Sequence, residues 1–326
     1  MQKAAVLGGG AWGTALAGVA LRAGNTVSLW AREAQTVEEI NRQHRNSRYL
    51  PGIDLGEGIS ATGDIRQALD GADIVLLAVP AQEVSEVAAG LGDLVRAGTA
   101  IVGCAKGIDR ASGRLPGDLI ANALPGCPVA ALSGPSFAAD VARGLPTAVT
   151  IACRHLEQSR WLARRLSGPT FRCYASDDLK GVELGGALKN VLALAVGAAH
   201  GLKLGASAEA ALVARGFAEL SRLAMALGGR AETLTGLSGL GDLVLTCSGP
   251  QSRNFAYGVA LGEGAPLDGL KLAEGVFTAP VAARLAADKS IEAPIIEAVS
   301  HVIDRRITAG EAVTRLLERP LKSEIN

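Results

Sequence analysis

The sequence predicts an α/β fold in two parts: an amino-terminal Rossmann-like doubly wound sheet over residues 1–177, then a carboxy-terminal all-α domain over residues 178–326. Three observations predict it. A glycine turn sits between a short apolar strand and a small-residue helix at the start of the chain. Apolar β-rich runs then recur with helical patterns between most of them. After Asp177 those runs stop and helical periodicity takes over. At 326 residues the chain is long enough for two cores.

The first strand, Lys3 to Leu7, enters Gly8-Gly9-Gly10-Ala11-Trp12-Gly13 and a helix running on through Leu21. Strand, G-x-G-x-x-G turn and helix in that order are what a dinucleotide site requires. Gly8 allows the tight turn, Gly10 lets backbone approach a pyrophosphate, and Gly13 lets the helix pack closely on the strand. Free N–H groups at the helix start face the anion. A glycine loop with a purely structural job is the competing explanation. The second strand, Thr26 to Trp30, ends in Ala31 and Arg32 rather than in the carboxylate that binds the ribose hydroxyls of NAD. Arg32 can pair with a 2′-phosphate, so NADP is the expected preference, with NAD tolerated. Glu33 can reach the same pocket, and an unliganded surface arginine is the alternative.

Further strands are expected at Asp73–Pro80, Thr99–Ala105, Pro128–Ser133, Thr147–Cys153 and Phe171–Tyr174. Near-continuous Val, Ile, Leu and Ala suits a sheet buried on both faces, and right-handed crossovers put the strand ends along one crevice. Lys106, Gly134 and Ser136 follow two of those ends. Helices are expected at Leu179–Gly201, Ala208–Leu227, Val276–Ala287, Pro294–Arg305 and Ala309–Glu318, with Pro320–Asn326 a loose tail.

Composition narrows the function. Lys plus Arg, 32, balances Asp plus Glu, 32, with no basic run, which argues against nucleic acid or an anionic membrane as the main partner. The chain enters its first strand within three residues, so no signal segment is expected and a cytoplasmic location is. Asn190 to Leu202, the longest uncharged apolar stretch, reads as a buried helix rather than a membrane span. The five cysteines include no C-x-x-C pair and are expected reduced and mostly buried. The four histidines form no i, i+4 pair or cluster with them, so no metal is expected.

Reducing a ketone with a nicotinamide cofactor requires a proton donor for the oxygen and a polar pocket for the rest of the substrate. Lys189 lies in the long apolar helix one turn after Gly185 and Gly186. Two helical glycines, each costing about 1 kcal/mol, imply that something approaches the backbone there: a flat cofactor ring or a crossing helix. Lys189 itself either snorkels outward or faces a functional cavity. A glycine-rich bend, Gly236 to Asp242, precedes Ser252-Arg253-Asn254, whose donors at a helix start suit an anion, or simply cap a surface helix. No Ser-His-Asp order or carboxylate pair argues for hydrolysis.

Together, Gly8 to Ala17, Ala105-Lys106-Gly107, Ser133 to Ala138, Glu183 to Val191, Gly239 to Leu243 and Gln251 to Asn254 resemble the bacterial NAD(P)-dependent glycerol-3-phosphate dehydrogenases, in order along nearly the whole chain. The G-x-G-x-x-G motif is widely shared. Lys-Asn after Gly-Gly-Ala-Leu, and the later Ser-Arg-Asn, are specific. The resemblance implies reversible reduction of dihydroxyacetone phosphate to sn-glycerol 3-phosphate for glycerophospholipid synthesis, with Lys189 giving and taking the proton. It implies substrate contacts at Lys106, Gly134, Ser136, Asp242, Ser252, Arg253 and Asn254, with Asn190, Asp242 and Thr246 arranged around Lys189. Cofactor contacts carry over to Ala11, Trp12, Arg32, Lys106, Ala138, Arg253, Leu272 and Glu274, beside Gly8, Gly10 and Gly13. Ala11 and Trp12 stand where many relatives have Ser and Tyr or Trp, and Leu272 replaces a common Val. The competing readings are another two-domain reductase of the hydroxyacid or ketopantoate type, and a non-catalytic dinucleotide sensor. Apolar faces in the helical domain suit a homodimer.

Overall fold

The structure, a computed structural model, describes residues 2–320. The tail expected over Pro320–Asn326 therefore lies, Pro320 apart, outside the described residues. The first part alternates strand and helix: β1 (Lys3–Leu7), α1 (Ala11–Arg22), β2 (Thr26–Trp30), α2 (Ala34–Gln43), β3 (Ile59–Thr62), α3 (Ile65–Leu69), β4 (Ile74–Leu77), α4 (Val84–Ala89), β5 (Ala100–Gly103), α5 (Pro116–Ala123), β6 (Val129–Ser133), α6 (Ala138–Ala142), β7 (Thr147–Cys153), α7 (Leu156–Leu166) and β8 (Phe171–Ser176). The sheet order is β3-β2-β1-β4-β5-β6-β7-β8. Val6 and Leu76 belong to one apolar layer, Leu7 and Leu77 to another, as alternation on a doubly covered sheet requires.

Two features differ from the expectation. β3 is an edge strand of four residues, Ile-Ser-Ala-Thr, too short to carry a pattern; its pairing with Val27–Trp30 defines it. β7 pairs antiparallel with β6, and β8 runs parallel to β7. Only β1 to β6 therefore end on the crevice, while Cys153 and Ser176 end β7 and β8 at the opposite edge. The connection between β6 and β7 carries only the five-residue α6, which lies against α1.

The second part is helical: α8 (Leu179–Gly201), α9 (Ala206–Ala226), α10 (Ala231–Leu234), a π-helical turn over Leu237–Gly241, α11 (Asp242–Cys247), α12 (Arg253–Glu263), α13 (Glu274–Asp288), α14 (Pro294–Ile303) and α15 (Ala309–Leu317). α8 is long and apolar enough to cross a membrane by length and composition, but 89% of its most apolar window is buried within the protein, the environment of a core helix. Asp178 caps it by accepting from the Gly181 N–H. Its first turns rest on the sheet through Leu179 and Val182 against Ala131 and Ala152. Farther along, α12 lies almost in backbone contact with it. A Cβ on Gly197 would stand 2.2 Å from the Phe255 carbonyl oxygen, and one on Gly258 would stand 2.3 Å from that of Leu194. This proximity sets the start of α12 beside Lys189.

Candidate active site

The glycine turn divides its work among its residues. A Cβ on Gly13 would lie 1.9 Å from the Gly8 carbonyl oxygen, so α1 can approach β1 only with glycine there. Gly8 has a φ of 127° and packs on the Ala78 carbonyl, which a side chain would strike. Around Gly10 a Cβ would meet nothing within 4 Å. Gly10 is also the N-cap of α1 without a side-chain hydrogen bond, so N–H groups and open space coincide where a pyrophosphate would sit. Ala11 and Trp12 occupy the first turn, half-buried, and the Trp12 Nε1 is buried without a partner. One residue absent from the sequence expectations braces this turn. Asn46, fully buried, donates through Nδ2 to the Gly9 carbonyl at 2.9 Å and to Thr14 Oγ1 at 2.8 Å. It lies on the irregular stretch after α2, where no motif marks it.

Across the crevice a charged cluster assembles. Lys189 Nζ donates to Asp242 Oδ1 at 2.7 Å and to Thr246 Oγ1. Lys106 Nζ donates to the other Asp242 oxygen at 2.7 Å and to the Gly134 carbonyl at 2.9 Å, which also accepts from Ser136 Oγ. The Lys189 and Asp242 side chains are 8% and 2% exposed, so Lys189 faces the interior rather than snorkelling. Burial pulls the Lys189 ammonium down to about 8, the Lys106 charge adds to this, and Asp242 opposes both. Burial alone would push the Asp242 carboxyl up, but the two ammonium groups outweigh it and hold the acid below its usual range. Asn190 donates to the Lys106 carbonyl at 2.8 Å and accepts from Asn254 at 2.9 Å, and Asn254 in turn accepts from the Gly275 N–H. Thus Lys106 at the sheet edge, Asn190 on α8, Asn254 on α12 and the start of α13 are joined by amides.

The glycines beside Lys189 are places of close approach by other parts of the chain. A Cβ on Gly185 would lie 2.7 Å from the Ser238 carbonyl oxygen in the π-helical turn, and one on Gly186 would lie 2.5 Å from Ser133 Oγ. Gly185 thus admits the turn that carries Asp242 to Lys189, while Gly186 lies against Ser133 and Lys106 at the sheet edge. Ser252 caps α12 through the Phe255 N–H, and Arg253 stands exposed on its first turn. Glu274 accepts from the Ala81 N–H at 3.1 Å through Oε1, while Oε2 is buried without a partner. Burial pushes this acid up, opposed by the Ala81 N–H and the Arg253 charge. The open cradle at Gly10 and the orphaned Trp12 N–H and Glu274 Oε2 fit a dinucleotide, which would supply partners for all three. Ala138 begins α6, packed on the sheet core. Two of the residues expected to contact the cofactor stand apart from this cluster: Arg32 pairs with Glu83, and Leu272 is 41% exposed on the irregular stretch before α13. Among the described residues no group of three or more His, Cys, Asp or Glu could hold a metal ion. Cys104, Cys153 and Cys173 are buried free thiols; Cys127 and Cys247 are half-buried.

Comparison with known proteins identifies the family. The sequence profile of the NAD-dependent glycerol-3-phosphate dehydrogenase amino terminus matches residues 3–159, and that of its carboxyl terminus matches residues 178–314. A glycerol-3-phosphate dehydrogenase [NAD(P)+] of Chelativorans sp. (strain BNC1) is 58% identical over 320 residues, 98% of each chain. The crystal structure of glycerol-3-phosphate dehydrogenase from Coxiella burnetii superposes with a TM-score of 0.92 at 42% identity, covering 98% of this chain and 99% of that one. A ketopantoate reductase from Ralstonia eutropha JMP134, 18% identical with a TM-score of 0.60 over 95% of this chain and 99% of its own, shares the fold alone. The chain belongs to the NAD(P)-dependent glycerol-3-phosphate dehydrogenase family.

Proposed function

We propose that this chain catalyses the reversible reduction of dihydroxyacetone phosphate to sn-glycerol 3-phosphate, with Lys189 as the proton donor in reduction and acceptor in oxidation. The observation that carries the reading is the buried Lys106–Asp242–Lys189 cluster at the crevice edge. Gly10, Trp12, Arg32 and Glu274 are the residues that would hold the dinucleotide, which when bound supplies the hydride. Lys189 spends two of its N–H donors on Asp242 and Thr246, leaving a third for a ketone oxygen. Titrating at about 8, it is mostly protonated at neutral pH yet able to give the proton up. Lys106 adds positive charge beside the developing alkoxide, and Asp242 holds both ammonium groups in place. Arg253, exposed beside the first N–H groups of α12, is the partner proposed for the remote phosphate, so that binding energy orients the carbonyl.

In this reading residues 1–177 bind the dinucleotide and residues 178–326 supply Lys189 and the phosphate site. The product serves glycerophospholipid synthesis in the cytoplasm. The formal net charge of zero supports a partner list without nucleic acid, and the helical domain is the proposed homodimer surface. The test is oxidation of NADPH by the purified protein with dihydroxyacetone phosphate, beside unphosphorylated dihydroxyacetone. Turnover confined to the phosphorylated ketone, and lost in Lys189→Ala with NADPH binding retained, is the expected result. Full activity of Lys189→Ala overturns the mechanism.

A further inference from the structure

β2 and β4 flank β1, with Trp30 and Leu77 both in register with Leu7, so their ends stand on either side of the glycine turn. Arg32 follows β2 by two residues. Glu83 closes the short helical turn Ala81–Glu83 that follows β4. The two side chains meet across the end of β1, Arg32 Nη1 to Glu83 Oε2 at 3.4 Å, and are 66% and 37% exposed. So wet a pair contributes little to stability. Its position is what matters, because it spans the mouth of the dinucleotide crevice. Glu33, the carboxylate next to Arg32 in sequence, turns instead to Arg48 at 3.9 Å. The anion that occupies Arg32 therefore comes from the opposite wall.

We propose that Glu83 is a specificity-determining residue: it competes with the 2′-phosphate of NADP for Arg32 and so narrows the discrimination between NADP and NAD. This rests on the assignment of Arg32 to the 2′-phosphate. A phosphate monoester carries about −1.5 to −2 charges at neutral pH and pairs with a guanidinium through two parallel hydrogen bonds. To make them Arg32 must leave Glu83, whose carboxylate then stands beside a second anion. The uncharged 2′-hydroxyl of NAD meets no such opposition. Across roughly 7 Å of water-like dielectric the repulsion amounts to a factor of about three to ten in affinity, and salt screens it.

The experiment titrates the full chain with NADPH and with NADH, following nicotinamide fluorescence, for the parent protein, Glu83→Gln, Arg32→Ala and the double variant. Unfolding midpoints confirm that each is folded. Glu83→Gln is expected to raise the NADPH-to-NADH affinity ratio about three- to tenfold at low salt, with most of the gain gone at 1 M salt. In the Arg32→Ala background the same change should have a clearly smaller effect, because without the guanidinium the 2′-phosphate is no longer held beside Glu83. An unchanged ratio in Glu83→Gln overturns the proposal. So does a lowered ratio, which would make Glu83 a support that orients Arg32, and so does an equal rise without Arg32. If Arg32→Ala leaves the ratio untouched, the Arg32 assignment falls and takes this inference with it. If Arg32→Ala lowers the ratio while Glu83→Gln does nothing, only the role of Glu83 falls.

Discussion

Replacing Asp242 by Asn removes one negative charge while nearly preserving shape, at the point where two ammonium groups converge. Both carboxylate oxygens lie 2.7 Å from a lysine nitrogen, and the side chain is 2% exposed. At about 3 Å and an effective dielectric near 20, Coulomb's law sets a ceiling of about 5 kcal/mol on the attraction of Asp242 for Lys189. Water and rearrangement of the amide reduce the loss to about 3 kcal/mol, roughly a hundredfold fall in the ratio of protonated to neutral lysine at fixed pH. The sign follows from the charge: without the carboxylate the ammonium is less favoured, so the proton leaves at lower pH. In the proposed mechanism reduction needs the protonated form, so its rate should fall as pH rises through about 8 in the parent enzyme. In Asp242→Asn that limb should move about two pH units toward acid. At pH 7.5 the rate should drop about twentyfold and return in part near pH 6. The limb belongs to the three coupled groups rather than to Lys189 alone. Initial rates of NADPH oxidation at saturating dihydroxyacetone phosphate, from pH 5.5 to 9, measure it. An unfolding curve guards against the destabilisation expected when a buried charge loses its partner. A slower enzyme with an unshifted limb would refute the electrostatic account and leave Asp242 a geometric role only.

Three further outcomes are expected. Gly10→Ala should unfold within about 1 kcal/mol of the parent, because its Cβ meets nothing, yet bind NADPH at least about tenfold more weakly; Gly13→Ala, whose Cβ would strike the Gly8 carbonyl, should lose several kcal/mol of stability. Equal dinucleotide affinity in Gly10→Ala would remove the pyrophosphate from that turn. Arg253→Ala should raise KM for dihydroxyacetone phosphate by about a hundredfold, the worth of a charge-assisted pair, with a smaller effect on kcat; a KM left in place would exclude Arg253 as the phosphate partner. Glu183, buried and accepting from the Gly117 N–H at 2.6 Å, is pushed by burial from 4.5 to about 8. Between those pH values the folded state holds a proton that the unfolded chain releases, so its contribution to stability falls as pH rises. Glu183→Gln keeps an acceptor for Gly117 and should gain on the parent by a few kcal/mol between pH 5 and pH 8.5. Parallel denaturation profiles would disprove it.

Much of this protein was legible along the chain, because its signals are local. A strand, a glycine turn and a helix within Lys3–Leu21 need no distant partner to be recognised, and α8 spans the residues that its apolar pattern marks, Leu179–Gly201. Lys189 stood out because an ammonium group in an apolar helix either snorkels outward or faces a functional cavity. Sequence could not say which, since the deciding carboxylate lies 53 positions away. Gly185 and Gly186 likewise announced a close approach without naming what approaches. The two helical spacings Gly197–Gly201 and Gly258–Gly262 were readable signals for the contact between α8 and α12. Asn46 and Glu83 had no such signal.

What sequence alone determined is therefore what nearest neighbours dictate: the fold class, the glycine turn between β1 and α1, the run of helices after Asp177 and the residue types able to move a proton or hold a phosphate. Tertiary structure decided which charges face one another. β7 reverses, Asp242 settles between Lys106 and Lys189, Asn254 reaches Asn190, and Arg32 meets Glu83 over the end of β1. Backbone preference and hydrophobic period act over a few residues, whereas a buried ion pair depends on distances fixed only when separate elements pack.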